Sequence, residues 1–185
     1  MNDGADNYSR YINGDDEGLA DIIREYKNGL MLYINSIVKN IHTAEDLTED
    51  TFVKLAVKKP RYRKKYTFKA WLYSIGKNTA LDYCRKYSKE LDIDNIDEHK
   101  EIYDEENAER NLIKNEDKIE LMRVMKELIP EHRQVLYLKY IEQLDNNEIS
   151  VITGKSKRQT EQLLYSAKNS LRKKLEKGGF QYEKQ

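Results

Sequence analysis

Cysteine is nearly missing from this sequence. Cys84 stands alone, so no disulfide can close within the chain, and a reducing compartment suits it. Proline is almost as scarce: Pro60 and Pro130 are the only two, and eight glycines are spread over 185 residues. Few points force a turn, which favours long helices over short strands. No apolar run approaches the roughly 18 residues that a bilayer-spanning helix needs, and no basic-then-apolar leader opens the sequence. The expectation is a cytoplasmic chain without membrane insertion. His42, His99 and His132 are scattered, with no Cys or carboxylate at metal-ligand spacing, and no glycine-rich phosphate loop occurs. Cys84 falls inside a helical pattern without an activating base and is expected to be a small core residue. The sequence therefore predicts no enzyme, no metal and no cofactor.

Net charge is absent too, with 33 basic residues against 33 acidic ones, but the average conceals an ordered distribution. From Lys54 to Lys86 the chain carries Lys54, Lys58, Lys59, Arg61, Arg63, Lys64, Lys65, Lys69, Lys77, Arg85 and Lys86, opposed only by Asp82. Between Glu90 and Asp117 acids dominate. From Lys155 onward the chain is basic again. Nucleic-acid binding depends on where charge lies rather than on its sum. Basic, acidic, basic suggests two phosphate-facing modules joined by an acidic connector.

Apolar spacing organises these modules as helices. Residues 1–14 are expected to be a mobile N-terminus. Leu19, Ile22, Ile23 and Tyr26 form a first stripe, from a helix starting near Asp15 or Asp16 and stopping at Gly29. Leu32, Ile34, Ile37, Val38 and Ile41 form a second from Leu30 onward. Thr43 is a good N-cap for a third helix, with acids in its first turn and an apolar face of Leu47, Phe52, Leu55 and Ala56, ended by Pro60. Arg61 to Tyr66 reads as a basic, aromatic loop. A fourth helix from Thr67 to about Tyr87 carries Phe68, Trp71, Leu72, Ile75, Thr79 and Tyr83. Gly76 within it costs roughly 1 kcal/mol relative to Ala, so a close approach is expected there. Residues 15–88 make the first module and 89–116 an acidic linker. Residues 117–177 make the second module, followed by a tail over 178–185. The fold class is all-α: two small helical domains joined by an acidic linker, the C-terminal one a helix-turn-helix.

In that second module Ile119, Leu121, Met122, Val124, Met125 and Leu128 make an amphipathic helix. Pro130 opens another, with Val135, Leu136, Leu138 and Ile141 as its core face. A short helix with Ile149 and Ile152, a turn at Gly154, a cap at Ser156 and inward Thr160, Leu163, Leu164 and Ala167 complete a helix-turn-helix pattern. Such a motif sends the N-terminal end of its second helix into the major groove. The groove-facing candidates are Lys155, Ser156, Lys157, Arg158, Gln159, Glu161 and Gln162, with Lys168 further along. Arg and Gln side chains read base edges and Lys positions the helix on phosphate.

The first module offers a different chemistry. Tyr73 and Asn78 do not sit on its apolar stripe, and Tyr62 lies in the basic loop. Aromatic rings stack on unpaired bases, amides read their edges, and cations hold the backbone of a single strand. Lys65, Lys69, Lys77 and Arg85 are the phosphate candidates. Glu45, Asp46, Glu49 and Asp50 form an acidic face one helix earlier, suited to a basic partner or, for Glu45 and Asp46, to compensating the helix dipole.

Three stretches together resemble a known family. They are Thr43-Ala-Glu-Asp-Leu-Thr-Glu-Asp-Thr-Phe-Val-Lys-Leu55, Phe68-Lys-Ala-Trp-Leu-Tyr-Ser-Ile-Gly-Lys-Asn-Thr-Ala-Leu-Asp-Tyr83, and Leu128-Ile-Pro-Glu-His-Arg-Gln-Val followed by the helix-turn-helix to about Leu175. In order and spacing they are similar to the bacterial RNA polymerase sigma factors of the extracytoplasmic-function (ECF) type. The resemblance implies that Glu45, Asp46, Glu49 and Asp50 bind the clamp helices of core polymerase. It implies that Tyr73 and Asn78 contact a flipped base of the melted non-template strand at the −10 element, with Tyr62 near the same strand. It also implies that the second helix of the helix-turn-helix reads duplex promoter DNA at the −35 element, and that the acidic linker threads through the polymerase. A cognate anti-sigma factor is a frequent further partner in the family. Where many members carry small-Thr-Val-Lys-Ser-Arg, this chain has Gln159-Thr-Glu-Gln-Leu163. Glu161 replaces a usual base and Ser166 a usual Arg, departures that bear on the DNA sequence read and not on the fold. Two other readings of the residues stay open: a stand-alone helix-turn-helix regulator, and a helical interaction protein that sequesters a transcription factor.

Overall fold

The computed structural model describes residues 4–91, 121 and 123–177. Among them every regular element is a helix. Helices α1 (Gly4–Ile12), α2 (Glu17–Val38), α3 (Ile41–Lys58) and α4 (Phe68–Leu91) build the first module. The second contains a short helical segment at 123–126, then α5 (Pro130–Leu136), which runs on through a π-helical turn at Tyr137–Ile141. After it come α6 (Asn146–Thr153) and α7 (Lys157–Lys177). Of the acidic linker expected over 89–116, residues 89–91 continue α4 and 92–116 lie outside the described residues, as do Ile119 and Met122 of the expected amphipathic helix and the tail from Gly178.

The N-terminus departs from expectation. Residues 4–12 form a helix whose Ala5, Tyr8 and Tyr11 are buried, and not a mobile segment. Its rings supply the reason: Tyr8 lies 5.7 Å from Phe68 and 5.2 Å from Trp71 between ring centroids. Both hydroxyls find backbone acceptors, Tyr8 on the Pro60 carbonyl at 2.7 Å and Tyr11 on that of Ala56 at 2.9 Å. A buried phenol with its hydroxyl satisfied stabilises a surface that polar neighbours would otherwise leave open.

The two helices expected on either side of Gly29 are one. Ile22, Tyr26, Leu30, Tyr33 and Ile34 carry a single buried stripe along α2, and burying each large aliphatic side chain is worth about 1.5–3 kcal/mol. The helix ends at Lys39, which takes a left-handed φ of +59° while its N–H bonds to the Asn35 carbonyl. Asn40, not Thr43, then caps α3: its side chain accepts from the Thr43 N–H at 3.0 Å. The helix starts before Thr43, so Glu45 and Asp46 fall outside its first turn. Leu47, Phe52 and Leu55 face the core as expected, joined by Thr48 and Thr51, whose hydroxyls donate back to the Ala44 and Leu47 carbonyls. Gly76 marks the expected close approach. A methyl group there would meet Leu30 Cδ1 at 2.7 Å.

Pro130 opens α5 at its first turn, as expected. Val135, Leu136 and Leu138 are buried, but Ile141 is 41% exposed. The π-helical turn rotates it out of register with the core stripe. Asp145 caps α6 in a reciprocal capping box with Glu148, and Gly154 closes that helix at φ +72°, where a side chain would be strained.

The two modules pack against each other. α2 meets α5 and α4 meets α6. Arg133 is buried at this seam, its Nε donating to the Ser36 carbonyl at 2.7 Å and its Nη1 to that of Lys126 at 2.8 Å.

Candidate nucleic-acid interface

The N-terminal end of α7 is built to present side chains. Ser156 and Gln159 cap it reciprocally: the Gln159 N–H donates to Ser156 Oγ at 3.2 Å, and the Ser156 N–H to Gln159 Oε1 at 2.8 Å. Thr160, Leu164 and Ala167 face inward and anchor the helix on α5 and α6. Ser156, Lys157, Arg158, Gln159, Glu161 and Gln162 are exposed. They cluster at the N-terminal end of the helix, and the amide oxygen of Gln159 is already engaged in the cap. Lys155 leans away to pair with Glu131 at 3.3 Å. Lys168 is exposed and sits over the Tyr140 ring at 5.5 Å.

The basic loop forms a second surface. Arg61, Arg63, Lys64 and Lys65 are exposed on it. Tyr62 is half-buried: its hydroxyl donates to the Tyr66 carbonyl at 2.6 Å and its ring meets Phe68 edge-on at 5.5 Å. With Tyr8, Phe68 and Trp71 it makes a packed aromatic cluster beneath the loop. Asn78 and Arg85 are exposed on α4, and Arg85 pairs with Asp82.

Three residues expected beside them are elsewhere. Tyr73 is 1% exposed, which corrects the expectation that it lies off the apolar stripe of its helix. It stacks on Tyr33 at 5.4 Å, while Tyr33 in turn stacks on Tyr137 of the second module at 6.2 Å. The space exists because residue 29 is glycine: a methyl group there would meet the Tyr73 hydroxyl at 2.5 Å and Glu142 Oε1 at 2.8 Å. Burial, reinforced by the facing Glu142 carboxylate, pushes the Tyr73 phenol above its ordinary range. Lys69 is held by Glu142 Oε2 at 2.5 Å and the Glu142 carbonyl at 3.3 Å. Lys77 donates to the Thr153 carbonyl at 2.7 Å; burial first, and the charge of Lys155 second, lower its pKa. The seven residues assigned to single-stranded DNA thus divide. Tyr62, Lys65, Asn78 and Arg85 remain on the surface of the first module, and Lys69, Tyr73 and Lys77 lie under the second.

Glu45, Asp46, Glu49 and Asp50 are all exposed on α3. Lys27 approaches Glu45 at 3.9 Å and Glu49 at 3.5 Å, distances at which exposed pairs contribute at most about 1 kcal/mol. The sequence reading missed two neighbours. Val53 and Val57 are 55% and 76% exposed, and at helical spacing from Asp46 and Asp50 they continue the acidic face with an apolar one. Aliphatic residues off the core stripe were the available signal. It also missed Tyr137 and Glu142, which nothing in their local spacing marks.

Among the described residues no cluster of His, Cys, Asp and Glu could hold a metal, and no helix is long and apolar enough to cross a membrane. Cys84 is half-buried, and burial pushes its thiol pKa up.

Comparison with known proteins matches residues 22–90 to the Sigma-70 region 2 family. The ECF RNA polymerase sigma factor SigM of Bacillus subtilis (strain 168) is 29% identical over 161 residues, covering 86% of this chain and 96% of its own length. The RNA polymerase sigma factor YlaC of the same organism is 27% identical over 165 residues, 87% of this chain and 94% of its own. Among solved structures, the sigma factor RpoE of Bartonella quintana, in complex with the anti-sigma factor NepR, superposes with a TM-score of 0.69 at 20% identity. That match covers 85% of this chain and 96% of RpoE. CnrH, in complex with the cytosolic domain of CnrY, gives 0.63 at 19% identity over 94% of each chain. The sequence matches span both modules and the structural likeness gives the same helical fold: along most of its length the chain is similar to the ECF sigma factors of bacterial RNA polymerase.

Proposed function

We propose that this chain binds core RNA polymerase, directs it to promoters and opens the DNA there, while the polymerase performs the nucleotidyl transfer. The observation that carries this reading is extent. The match to sigma factors runs through both modules and nearly the whole length of the relatives, so the acidic face, the basic loop and the second-module helix pair occur together in one chain. A stand-alone regulator needs only the last of these.

Residue roles follow from chemistry and position. Glu45, Asp46, Glu49 and Asp50, extended by Val53 and Val57, form a face for a basic helical partner on the polymerase. Tyr62, Lys65, Asn78 and Arg85 meet the melted non-template strand, joined by Lys69, Tyr73 and Lys77 once these are uncovered. The α6–α7 pair acts as a helix-turn-helix whose Lys157, Arg158, Glu161 and Gln162 face duplex DNA in the major groove, with Lys155 and Lys168 on phosphate and Ser156 and Gln159 mainly capping the helix. The partners are core polymerase, promoter DNA and a cognate anti-sigma factor. The chain works in the cytoplasm and needs no cofactor or active site of its own.

Run-off transcription from a genomic promoter library, with purified core polymerase and with or without the chain, tests the proposal. Discrete starts that depend on the chain are expected. If no start appears and the chain does not co-elute with core polymerase, the reading fails.

A further inference from the structure

Helix α1 reaches the basic loop through two hydroxyls. Tyr8 and Tyr11 are buried, at 3% and 6% exposure. The Tyr11 hydroxyl donates to the Ala56 carbonyl at 2.9 Å and the Tyr8 hydroxyl to the Pro60 carbonyl at 2.7 Å. These acceptors stand on either side of the point where the chain leaves α3. The last carbonyls of a helix have no partner of their own within it. At the end of α3 the Lys59 N–H takes the Leu55 carbonyl. Pro60 follows, and it has no N–H to offer the carbonyl of Ala56. Tyr11 supplies that donor from another helix. Lys59 is not glycine, yet it takes a left-handed φ of +41°, a conformation that persists only where surrounding contacts hold it. Its ammonium lies 4.6 Å from the centre of the Tyr11 ring, so one tyrosine meets this turn with both its ring and its hydroxyl.

The far end of the loop bears on the same helix. Tyr8 lies against Phe68 and Trp71 from one side, and Tyr62 of the loop meets the same two rings at 5.5 and 5.2 Å. Helix α1 is itself seated closely: a methyl group at Gly4 would run into Phe68, and one at Gly18 of α2 into the Asn7 carbonyl. Between these anchors Arg61, Arg63, Lys64 and Lys65 are exposed. Four cations within five residues repel one another, and such a segment spreads unless its stems are fixed. Filling the core at positions 8 and 11 needs only the rings. The hydroxyls go to the backbone at the root of the loop. We propose that Tyr8 and Tyr11 are positioning residues for strand capture. Their hydroxyls fix the path from α3 into the loop, and so set where Tyr62 and the four cations stand when the melted strand arrives. Neither tyrosine touches DNA. A loop ordered in advance does not have to be ordered by the strand it binds. This rests on the single-strand role given above to Tyr62 and Lys65.

Tyr8→Phe and Tyr11→Phe, singly and together, remove the hydroxyls and keep the rings. Thr48→Val is the control, since it removes a buried hydroxyl bonded to the Ala44 carbonyl in the first half of α3, away from the loop. Trypsin reads the loop in the full chain, with mass spectrometry following nicks after Arg61, Arg63, Lys64 and Lys65. Losing one hydrogen bond raises the population of a loosened segment roughly two- to tenfold. Nicking confined to the loop should therefore quicken about threefold in each single variant and about tenfold in the double one, with the control unchanged. The second readout uses core polymerase and a promoter recovered by the run-off experiment above. The chain is titrated to saturation, and permanganate reports unpaired thymines. Excess chain compensates for a variant that is only less stable, whereas a misplaced loop lowers a plateau that no excess restores. The double variant should reach about half the wild-type plateau or less, as a loop in place half of the time would give, at an unchanged half-saturating concentration. Nicking at the wild-type rate overturns the anchoring, whatever the plateau does. Faster nicking with a wild-type plateau overturns the role in capture. A plateau lowered equally by Thr48→Val reduces both tyrosines to ordinary core residues and overturns it as well. Starts from wild type with unchanged variants reject the positioning alone, whereas no start from wild type rejects the sigma reading and the positioning with it.

Discussion

Helices α4 and α7 carry similar residues and use them in opposite ways. Each mixes lysine, arginine, amide and tyrosine side chains with an apolar stripe. On α7 one face is inward, at Thr160, Leu164 and Ala167, while Lys157, Arg158 and Gln162 point to solvent. Helix α4 is packed on two sides. Phe68, Leu72 and Ala80 are buried in the first module, and Lys69, Tyr73 and Lys77 face the second. A polar residue on α7 is therefore open to a partner and adds little to the fold. The same residue type on α4 is engaged in the fold and the seam. Substitutions on the two helices should therefore differ most in what they cost the fold.

The largest effect belongs to the core of α4. Phe68 is fully buried and touches the rings of Tyr8, Tyr26, Tyr62 and Trp71. Phe68→Ala should cost about 3–5 kcal/mol in urea unfolding, as large-to-small changes at tightly packed aromatic sites do. A cost under about 1 kcal/mol would mean that α1 and the basic loop collapse onto the vacancy, and that the cluster is less specific than its packing suggests.

Alkali offers a second, smaller lever. Burial, with the neighbouring Tyr11 adding to it, raises the Tyr8 phenol to about 12, and burial raises Tyr33, Tyr73 and Tyr137 above their ordinary value as well. A group that holds its proton more tightly when folded contributes stability that is complete below its unfolded pKa, near 10, and is lost as pH rises through the folded value. For Tyr8 the window is pH 10 to 12, and the loss is on the order of 1–2 kcal/mol. Unfolding midpoints across that window, with Tyr8→Phe as reference, should show wild type falling faster. Parallel curves would place the Tyr8 phenol in water.

What the sequence disclosed and what it withheld follow from the range of the interactions involved. The stripe through Ile22, Tyr26 and Ile34, the proline that opens α5, the Ser156 cap and the inward Thr160, Leu164 and Ala167 are local patterns, and they were readable as such. Gly29 was read as a stop because a helix end and a close approach both exclude a side chain, and only the position of Tyr73 and Glu142 decides between them. Asn40 and Thr43 are both good caps three residues apart, and spacing alone cannot rank them. Helix α1 was hidden because polar residues separate Tyr8 from Tyr11, whose partners lie some fifty residues on. For the candidate site, the exposed face of α7 and the acidic face of α3 were legible because each depends on one helix. Tyr73 was not, because its burial depends on a module that begins far downstream in the sequence.

A smaller loss is expected at the cap of α6. Asp145 accepts from the Asn147 N–H at 2.7 Å and the Glu148 N–H at 2.8 Å, while Glu148 bonds back to the Asp145 N–H. Asp145→Ala should cost about 1 kcal/mol in thermal unfolding. Because α6 supports both α7 and the seam with α4, this one change tests whether the two faces share a foundation. The exposure of Lys157 and Lys77 to chemical modification should rise together. Movement of only one would uncouple them.

The smallest effect on stability should come with the clearest effect on recognition. Arg158 is exposed at the start of α7, so Arg158→Ala should leave unfolding within about 0.5 kcal/mol of wild type. If it reads a guanine edge in the major groove, the same change should weaken binding to a cognate duplex by about 1–3 kcal/mol and relax preference at one base pair. If it only contacts phosphate, binding should fall evenly across sequences and the salt dependence should flatten by about one charge. Lys69→Ala supplies the converse, because Lys69 is tied to Glu142: removing it strands a mostly buried carboxylate, so stability should move before recognition does. A measured order opposite to this, with Arg158 sustaining the fold and Lys69 dispensable to it, would show that the two helices do not divide their labour as their burial indicates.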